Sequence, residues 1–287
     1  MCGRPAETCV AELTVSGAAQ PDFDLAVVSD IGTERPDNED ACGYFVEGPQ
    51  AVLFVVADGI GGYEGGEVAS RMAVDITLEA YRESPLAWGA VKRLQRAVQR
   101  ANIEIYNRAI TVPELRRMGT TLTAAVVEGG RLSAVHVGDC RLYLARRGRI
   151  AQITKDHTVI AERVRMGLIS AARARHHPER STLSRSIGHE LIVSVDRLSM
   201  PLVQGDRLLL CSDGLYNVLD DHELDHLMGS GDAAAACKAL IETANARGSA
   251  DNLTAAVFIM RGATPFVGGD ADTGWRARLG KLFRWRR

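Results

Sequence analysis

The sequence predicts an α/β (α+β) domain in which antiparallel β-structure is covered by helices, and three observations carry that prediction. Short apolar runs of strand length fall in two groups, one before and one after a pair of helical periodicities. The two helical stretches follow one another directly, as an antiparallel helix pair lying on a sheet does. The resulting order of strands, helix pair, many strands, helices and a last strand does not alternate in βαβ units, so a parallel sheet is not expected.

Taken in order, residues 1–22 mix Gly, Ala, Pro and Thr without sustained periodicity and are expected to be a loosely held lead-in. A single domain spans 23–262. Strand-like patches run over Asp24–Val28, Cys42–Val46 and Ala51–Ala57. From Gly66 the period changes. Ala69, Met72, Ala73, Ile76 and Ala80 mark one helical face, and Val91, Leu94, Val98, Ala101 and Ile105 a second that ends before Pro113. Strands resume at Thr120–Val127, Leu132–Val137, Arg141–Arg146 and Arg149–Thr154, with hairpin turns at Glu128-Gly129-Gly130 and Arg147-Gly148. Residues 156–190 break the pattern. Rich in Arg and His, with a short helical signal at Val159–Met166, they read as an inserted surface segment. Strands at Leu191–Leu198 and Arg207–Cys211, helices at about 220–228 and 232–246 and a strand at Leu253–Met260 complete the domain. A linker, 263–274, leads to a basic tail, 275–287.

With 287 residues, 46% of them hydrophobic, the chain can bury a sizeable core. The formal charge of −2 provides no whole-chain attraction to nucleic acid, so nucleic acid is not an expected partner. Cys2, Cys9, Cys42, Cys140, Cys211 and Cys237 form no CxxC pair and read as reduced cysteines of a cytoplasmic protein. Neither a signal peptide nor an apolar run of about 18 residues is visible, so a soluble monomer in the cytoplasm is the expectation.

Asp58, Asp139, Asp213 and Asp251 stand at the tips of four apolar runs, and three of them have glycine directly beside them. Asp58, Asp139 and Asp213 follow their strands whereas Asp251 precedes its own. Antiparallel pairing would therefore set Asp213 beside Asp251. Carboxylates gathered at one sheet edge repel one another, and bound cations relieve that repulsion. Oxygen ligands unaccompanied by cysteine or histidine suit Mg²⁺ or Mn²⁺ better than zinc or copper.

Further short motifs lie between and around these acids. They are Ser29-Asp30-Ile31-Gly32-Thr33-Glu34-Arg35-Pro36-Asp37-Asn38-Glu39-Asp40, Asp58-Gly59-Ile60-Gly61-Gly62, Gly119-Thr120-Thr121, Gly138-Asp139-Cys140-Arg141, Ser212-Asp213-Gly214 and Asp251-Asn252-Leu253-Thr254. In this order and spacing, from about Asp24 to Met260, the chain resembles the metal-dependent protein phosphatases, the type 2C serine/threonine phosphatases, in their bacterial branch. The resemblance implies two antiparallel β-sheets packed as a sandwich, flanked by helices on both outer faces. It implies hydrolysis of phosphoserine and phosphothreonine in proteins by a binuclear Mn²⁺ or Mg²⁺ centre and metal-activated water, with no phosphoenzyme. By similarity Asp58 bridges the two ions, Gly59 lends its carbonyl, and Asp213 and Asp251 complete one ion's shell. Glu39 reaches the other ion through water, Asp40 supports from behind, and Asp139 holds a third ion. The implied partners are phosphorylated proteins, among them a serine/threonine kinase or its targets.

Arg35 is the expected phosphate clamp, because a planar guanidinium grips two phosphate oxygens at once. Position 60 departs from many eukaryotic relatives, which carry a histidine proposed to protonate the leaving oxygen there; Ile60 has no proton to give, so either a metal-bound water, such as one at the Asp139 site, does that job or the step is slower on alkoxide leaving groups. Residues 156–190 correspond to the family's flap, a mobile segment beside the metals. Thr154-Lys155-Asp156-His157-Thr158 and Leu183-Ser184-Arg185-Ser186-Ile187-Gly188 fit the branch's pattern at its edges.

Three other readings compete. His222-Glu223-Leu224-Asp225-His226 matches HExxH, the zinc-protease pattern, but acids crowd it and no third ligand follows. A catalytically weak, phosphatase-like regulatory binding module should lack a metal aspartate or the clamp, and none is missing. A two-metal phosphatase of a small phosphorylated molecule would use the same centre. Beyond the domain, Trp275, Leu279, Leu282 and Phe283 share one helical face, amid Arg276, Arg278, Lys281, Arg284, Arg286 and Arg287. This basic amphipathic tail is the expected site of any peripheral membrane or acidic-partner contact.

Overall fold

The computed structural model describes residues 9–12, 22–61, 65–175 and 177–262. Twelve strands and seven α-helices are laid out along them, and every strand pairing is antiparallel. One sheet runs β1 (Cys9–Glu12), β2 (Phe23–Asp30), β12 (Leu253–Met260), β11 (Arg207–Cys211), β8 (Arg141–Ala145), β9 (Ile150–Gln152). The other runs β10 (Asp196–Pro201), β7 (Arg131–Val137), β6 (Leu122–Glu128), β4 (Ala51–Ile60), β3 (Asp40–Val46), and the short β5 (Gly119–Thr120) pairs with the end of β4.

The two sheets pack face to face because their apolar residues alternate. On β4, Val52, Phe54 and Val56 meet Leu208, Leu210, Ala256 and Phe258 of the facing sheet, with Phe54 stacked on Phe258 at a centroid distance of 6.0 Å. The intervening Leu53, Val55 and Ala57 point the other way, onto α1 (Gly65–Glu83) and α2 (Ala90–Thr111). That double coverage explains why β4 reads as an unbroken apolar run. The second sheet is covered likewise by α5 (Asp213–Tyr216), α6 (Asp221–Met228) and α7 (Ala233–Ala246). Two short helices, α3 (Val159–Arg165) and α4 (Ala171–Ala174), lie in the inserted segment. This is the expected sandwich with helices on both outer faces.

Several local expectations shift. Within the stretch read as a lead-in, Cys9–Glu12 pairs with Ala26–Ser29 as an edge strand. The strand expected over 191–198 starts at Asp196 instead, and Leu191 and Ile192 are exposed, 51% and 76%, because no partner strand reaches them. The strand expected over Thr120–Val127 is interrupted at Thr121, whose amide donates to the carbonyl of Asp58 (2.8 Å). Cys140, Cys211 and Cys237 are buried thiols outside any disulfide.

Candidate active site

One end of the sandwich gathers the acids. Register places Asp40 directly across from Asp58, while Cys211 pairs with Ala255, so the chain leaving β11 at Asp213 runs beside the chain entering β12 at Asp251. The side-by-side arrangement expected of that antiparallel pair is thus present. Arg35, Glu39, Asp58, Gly59, Asp139, Asp213 and Asp251 all line one cavity of about 420 Å³. Asp40 stands behind it, buried, accepting a 2.6 Å hydrogen bond from Ser212 Oγ.

Close backbone packing sets these positions. A Cβ on Gly59 would lie 2.2 Å from the Gly66 carbonyl oxygen, and one on Gly66 would lie 2.5 Å from Glu39 Oε1. Only glycine lets α1 start this near Glu39. A Cβ on Gly214 would likewise meet the Asn252 carbonyl at 2.1 Å, which is why Asp213 and Asp251 come together.

The electrostatics are those of crowded carboxylates. Burial pushes the Asp58 carboxyl well above its usual range, and Asp40, Asp213, Asp139 and Asp251 add to the shift. Burial likewise raises Asp40 to about 7, against hydrogen bonds from Ser212 and Thr254 that lower it. Asp213 is raised to about 6 by burial and by Asp251, and Asp139 is raised by burial and by Asp213. Glu39 is raised by burial, with Arg35 opposing. Each of these carboxylates disfavours ionisation of the next, and a divalent cation among them would reverse that preference. Among the described residues no three His, Cys, Asp or Glu side chains close into a ligating cluster. The acids face a common space. An all-oxygen set with this charge fits a hard cation such as Mg²⁺ or Mn²⁺.

Arg35 reaches the same space but is docked. Its Nη2 donates to Asp251 Oδ2 at 2.9 Å and its Nε to the Ala250 carbonyl at 3.2 Å, with the side chain 43% exposed. The Arg141 guanidinium is instead held by Asp156 (2.7 Å) and lies 3.5 Å over the Tyr216 ring. The Tyr216 hydroxyl donates to the Asp139 carbonyl at 3.1 Å.

Residues 33–257 match the family model described as Protein phosphatase 2C. The chain belongs to the protein phosphatase 2C family. It is 36% identical over 230 residues to a serine/threonine phosphatase, stp, of Listeria innocua, covering 79% of this chain and 91% of that protein. It is 37% identical over 233 residues to the serine/threonine protein phosphatase PstP of Mycobacterium tuberculosis, covering 81% of this chain but 44% of PstP. The crystal structure of the Mycobacterium tuberculosis PstP phosphatase superimposes with a TM-score of 0.76 at 36% identity, covering 84% of this chain and 99% of that one. A structure of the PstP catalytic domain in complex with two manganese ions superimposes with a TM-score of 0.72 at 34% identity, covering 83% and 97%.

Within this phosphatase 2C domain the rival zinc motif is a helix cap. Asp220 caps α6 and exchanges hydrogen bonds with Glu223, whose carboxylate also pairs with Arg247, leaving His222 and His226 exposed away from the cavity. Other residues matter more than their sequence context indicated. Asn252 accepts from the Glu39 amide (2.9 Å) and donates to the carbonyls of Ile31 (2.8 Å) and Asp37 (3.0 Å), tying the Asp251 loop to the Arg35–Glu39 loop. Thr121 Oγ1 accepts from the Asp58 amide at 2.9 Å. From the inserted segment Ser181, Thr182, Leu183, Ser186 and His189 line the cavity. The Ser-Arg-Ser-Ile-Gly motif was the signal available for the last of these, since His189 follows it directly.

Proposed function

We propose that this chain is a metal-dependent serine/threonine protein phosphatase that hydrolyses phosphoserine and phosphothreonine. The observation that carries the reading is the convergence of Arg35, Glu39, Asp58, Asp139, Asp213 and Asp251 on one cavity. Membership of the phosphatase 2C family and the names of its relatives support it. Asp58, the Gly59 carbonyl, Asp213 and Asp251 would hold two core Mn²⁺ or Mg²⁺ ions, with Glu39 acting through water. Asp40, across the strand pair from Asp58, would support the centre from behind, and Asp139 would hold a third ion. The ions, when bound, supply positive charge against the phosphate dianion and a nucleophile near neutral pH.

The chain's own groups do the rest. Arg35 leaves Asp251 to grip two phosphate oxygens, which turns the ester toward the carboxylates and fixes its orientation. Thr121 and Asn252 hold Asp58 and Glu39 against the repulsion of their neighbours. The walls contributed by Ser181–Leu183 shape the entry for a phosphorylated segment and shield the reacting atoms from bulk water. The partners would be phosphorylated proteins, including a serine/threonine kinase or its targets, met in the cytoplasm by a monomer. None of the helices formed by the described residues is long and apolar enough to cross a membrane.

The test is phosphate release from phosphoserine and phosphothreonine peptides by protein stripped with chelator, then supplied with Mn²⁺ or Mg²⁺. Recovery of turnover by either ion is expected. Full activity in excess chelator would refute the reading. Turnover of a small phosphoester far above that of any phosphopeptide would move the assignment to a small-molecule phosphatase.

A further inference from the structure

A phosphoserine ester leaves as an alkoxide, a poor leaving group unless it is protonated as the bond to phosphorus breaks. Ile60 lines the cavity and has no proton to give. The cross-strand partner of Ile60 is Gly119, and the side chain resting on Gly119 is that of His189. A Cβ on Gly119 would lie 2.8 Å from His189 Nε2, so glycine at 119 makes room for the imidazole. His189 lines the same cavity as Asp58, Asp139 and Asp213.

The ring is held in place. Gly188, at φ +92°, turns the backbone where a Cβ would lie 2.4 Å from Ile105 Cγ2. The Gly188 amide donates to Asn102 Oδ1 at 2.8 Å. Asn102 Nδ2 donates to the carbonyls of Glu190 (2.9 Å) and Leu191 (3.1 Å). A fully buried side chain of α2 thus brackets His189 on both sides in sequence. Ser186 Oγ lies 2.6 Å from Nδ1, and the Arg117 carbonyl lies 3.5 Å from Nε2. A neutral ring that accepts the Ser186 hydroxyl at Nδ1 keeps its hydrogen on Nε2, the nitrogen beside Gly119. A protonated ring donates to Ser186 from Nδ1 and still carries hydrogen on Nε2. Both forms therefore present an N–H at that place.

We propose that His189 is the proton donor to the leaving seryl or threonyl oxygen, supplied by the inserted segment in place of the side chain at position 60. In the step, the oxygen of the attacking water bonds to phosphorus and the bond from phosphorus to the seryl oxygen breaks. The Nε2 proton of the imidazolium moves to that oxygen. The proton released by the attacking water passes to solvent, and His189 is recharged from there. Ser186 and Asn102 are positioning residues for this group.

The inference rests on the phosphatase reading, and the test separates the two by using two leaving groups. p-Nitrophenolate is stable without a proton, whereas an alkoxide is not. In the Mn²⁺-loaded full chain, His189→Ala should lower kcat on a phosphoserine peptide by about a hundredfold, within the range general acid catalysis supplies. Turnover of p-nitrophenyl phosphate should stay within about threefold of wild type. His189→Gln, which keeps a side chain able to hydrogen-bond Ser186, should not restore the peptide reaction. Added imidazole should restore part of it in His189→Ala. Equal losses on both substrates, or a wild-type rate on phosphopeptide in either variant, would overturn the assignment of His189. Inactivity of the wild-type protein on both esters would overturn the phosphatase reading itself.

Discussion

At the scale of single residues, Asp58 and Arg35 carry the sharpest expectations, for opposite reasons. Asp58 faces the cavity with its carboxyl raised by burial and by four other aspartates, so its charge is kept only in company with positive charge. Asp58→Asn should lower phosphopeptide turnover by more than the roughly 10–100-fold that loss of an outer partner costs. Titration calorimetry should show weaker Mn²⁺ binding in parallel. Normal Mn²⁺ affinity in this variant would remove Asp58 from the centre. Arg35 is exposed and already spends one hydrogen bond on Asp251. Arg35→Ala should raise KM for a phosphopeptide by roughly tenfold, the value of a charge-assisted hydrogen bond, and lower kcat less. An unchanged KM would place Arg35 outside the phosphate site. Asp58, Asp139, Asp213 and Asp251 were legible in the sequence because each sits at a strand tip. The placement of His189 beside the cavity was not, because it needs a glycine far away in the chain, and neither was the part played by Asn102, which looks like any polar residue of a helix.

At the scale of elements, the join between β7 and the inserted segment is a buried histidine pair. The His136 and His157 rings lie 4.7 Å apart; Thr123 Oγ1 is 2.8 Å from His136 Nδ1, and the Lys155 carbonyl is 3.0 Å from Nε2. Asp156 and Asp196 lie near enough to favour the charged form of His136. Burial, the largest influence, outweighs them and, with His157, lowers His136 from 6.5 to about 4. The folded state therefore resists a proton that the unfolded chain takes up near pH 6.5. Stability should be full above that pH, and should fall as pH drops from about 6.5 towards about 4. Chemical denaturation at pH 7 and pH 5 should show wild type losing about 2 kcal/mol more than His136→Gln. The acids of the cavity titrate in both proteins and cancel in the comparison. Equal losses would mean that His136 titrates normally. The strand boundaries that sequence periodicity missed, at 191–195 and at Thr121, lie beside this segment, where hydrogen bonds from Asn102 and Gln99 of α2 and to Asp58 of β4 replace the ladder.

At the scale of the whole molecule, the cavity forms where two sheets, the start of α1 and the inserted segment meet at one end. The tail read as a basic amphipathic helix lies outside the described residues. Its composition supports docking on an anionic surface. Deleting residues 275–287 should leave turnover of p-nitrophenyl phosphate intact and abolish salt-sensitive binding to phosphatidylserine vesicles. Identical binding by full-length and truncated proteins would refute a docking role.

What the sequence determined by itself was the alternation of apolar residues, hence the strands, the helix pair and their order. It also determined the acids at the strand tips, because local periodicity and the ordered motifs are written in neighbouring residues. What only the tertiary structure decided was how those pieces face one another. Gly59 and Gly66 pack backbone against Glu39, Asn252 binds the loop between β2 and β3, more than two hundred residues from it, and Gly119 opens space for His189. These contacts depend on distances between segments remote in sequence, and close approach of backbone leaves no periodic trace by which a single chain could announce it.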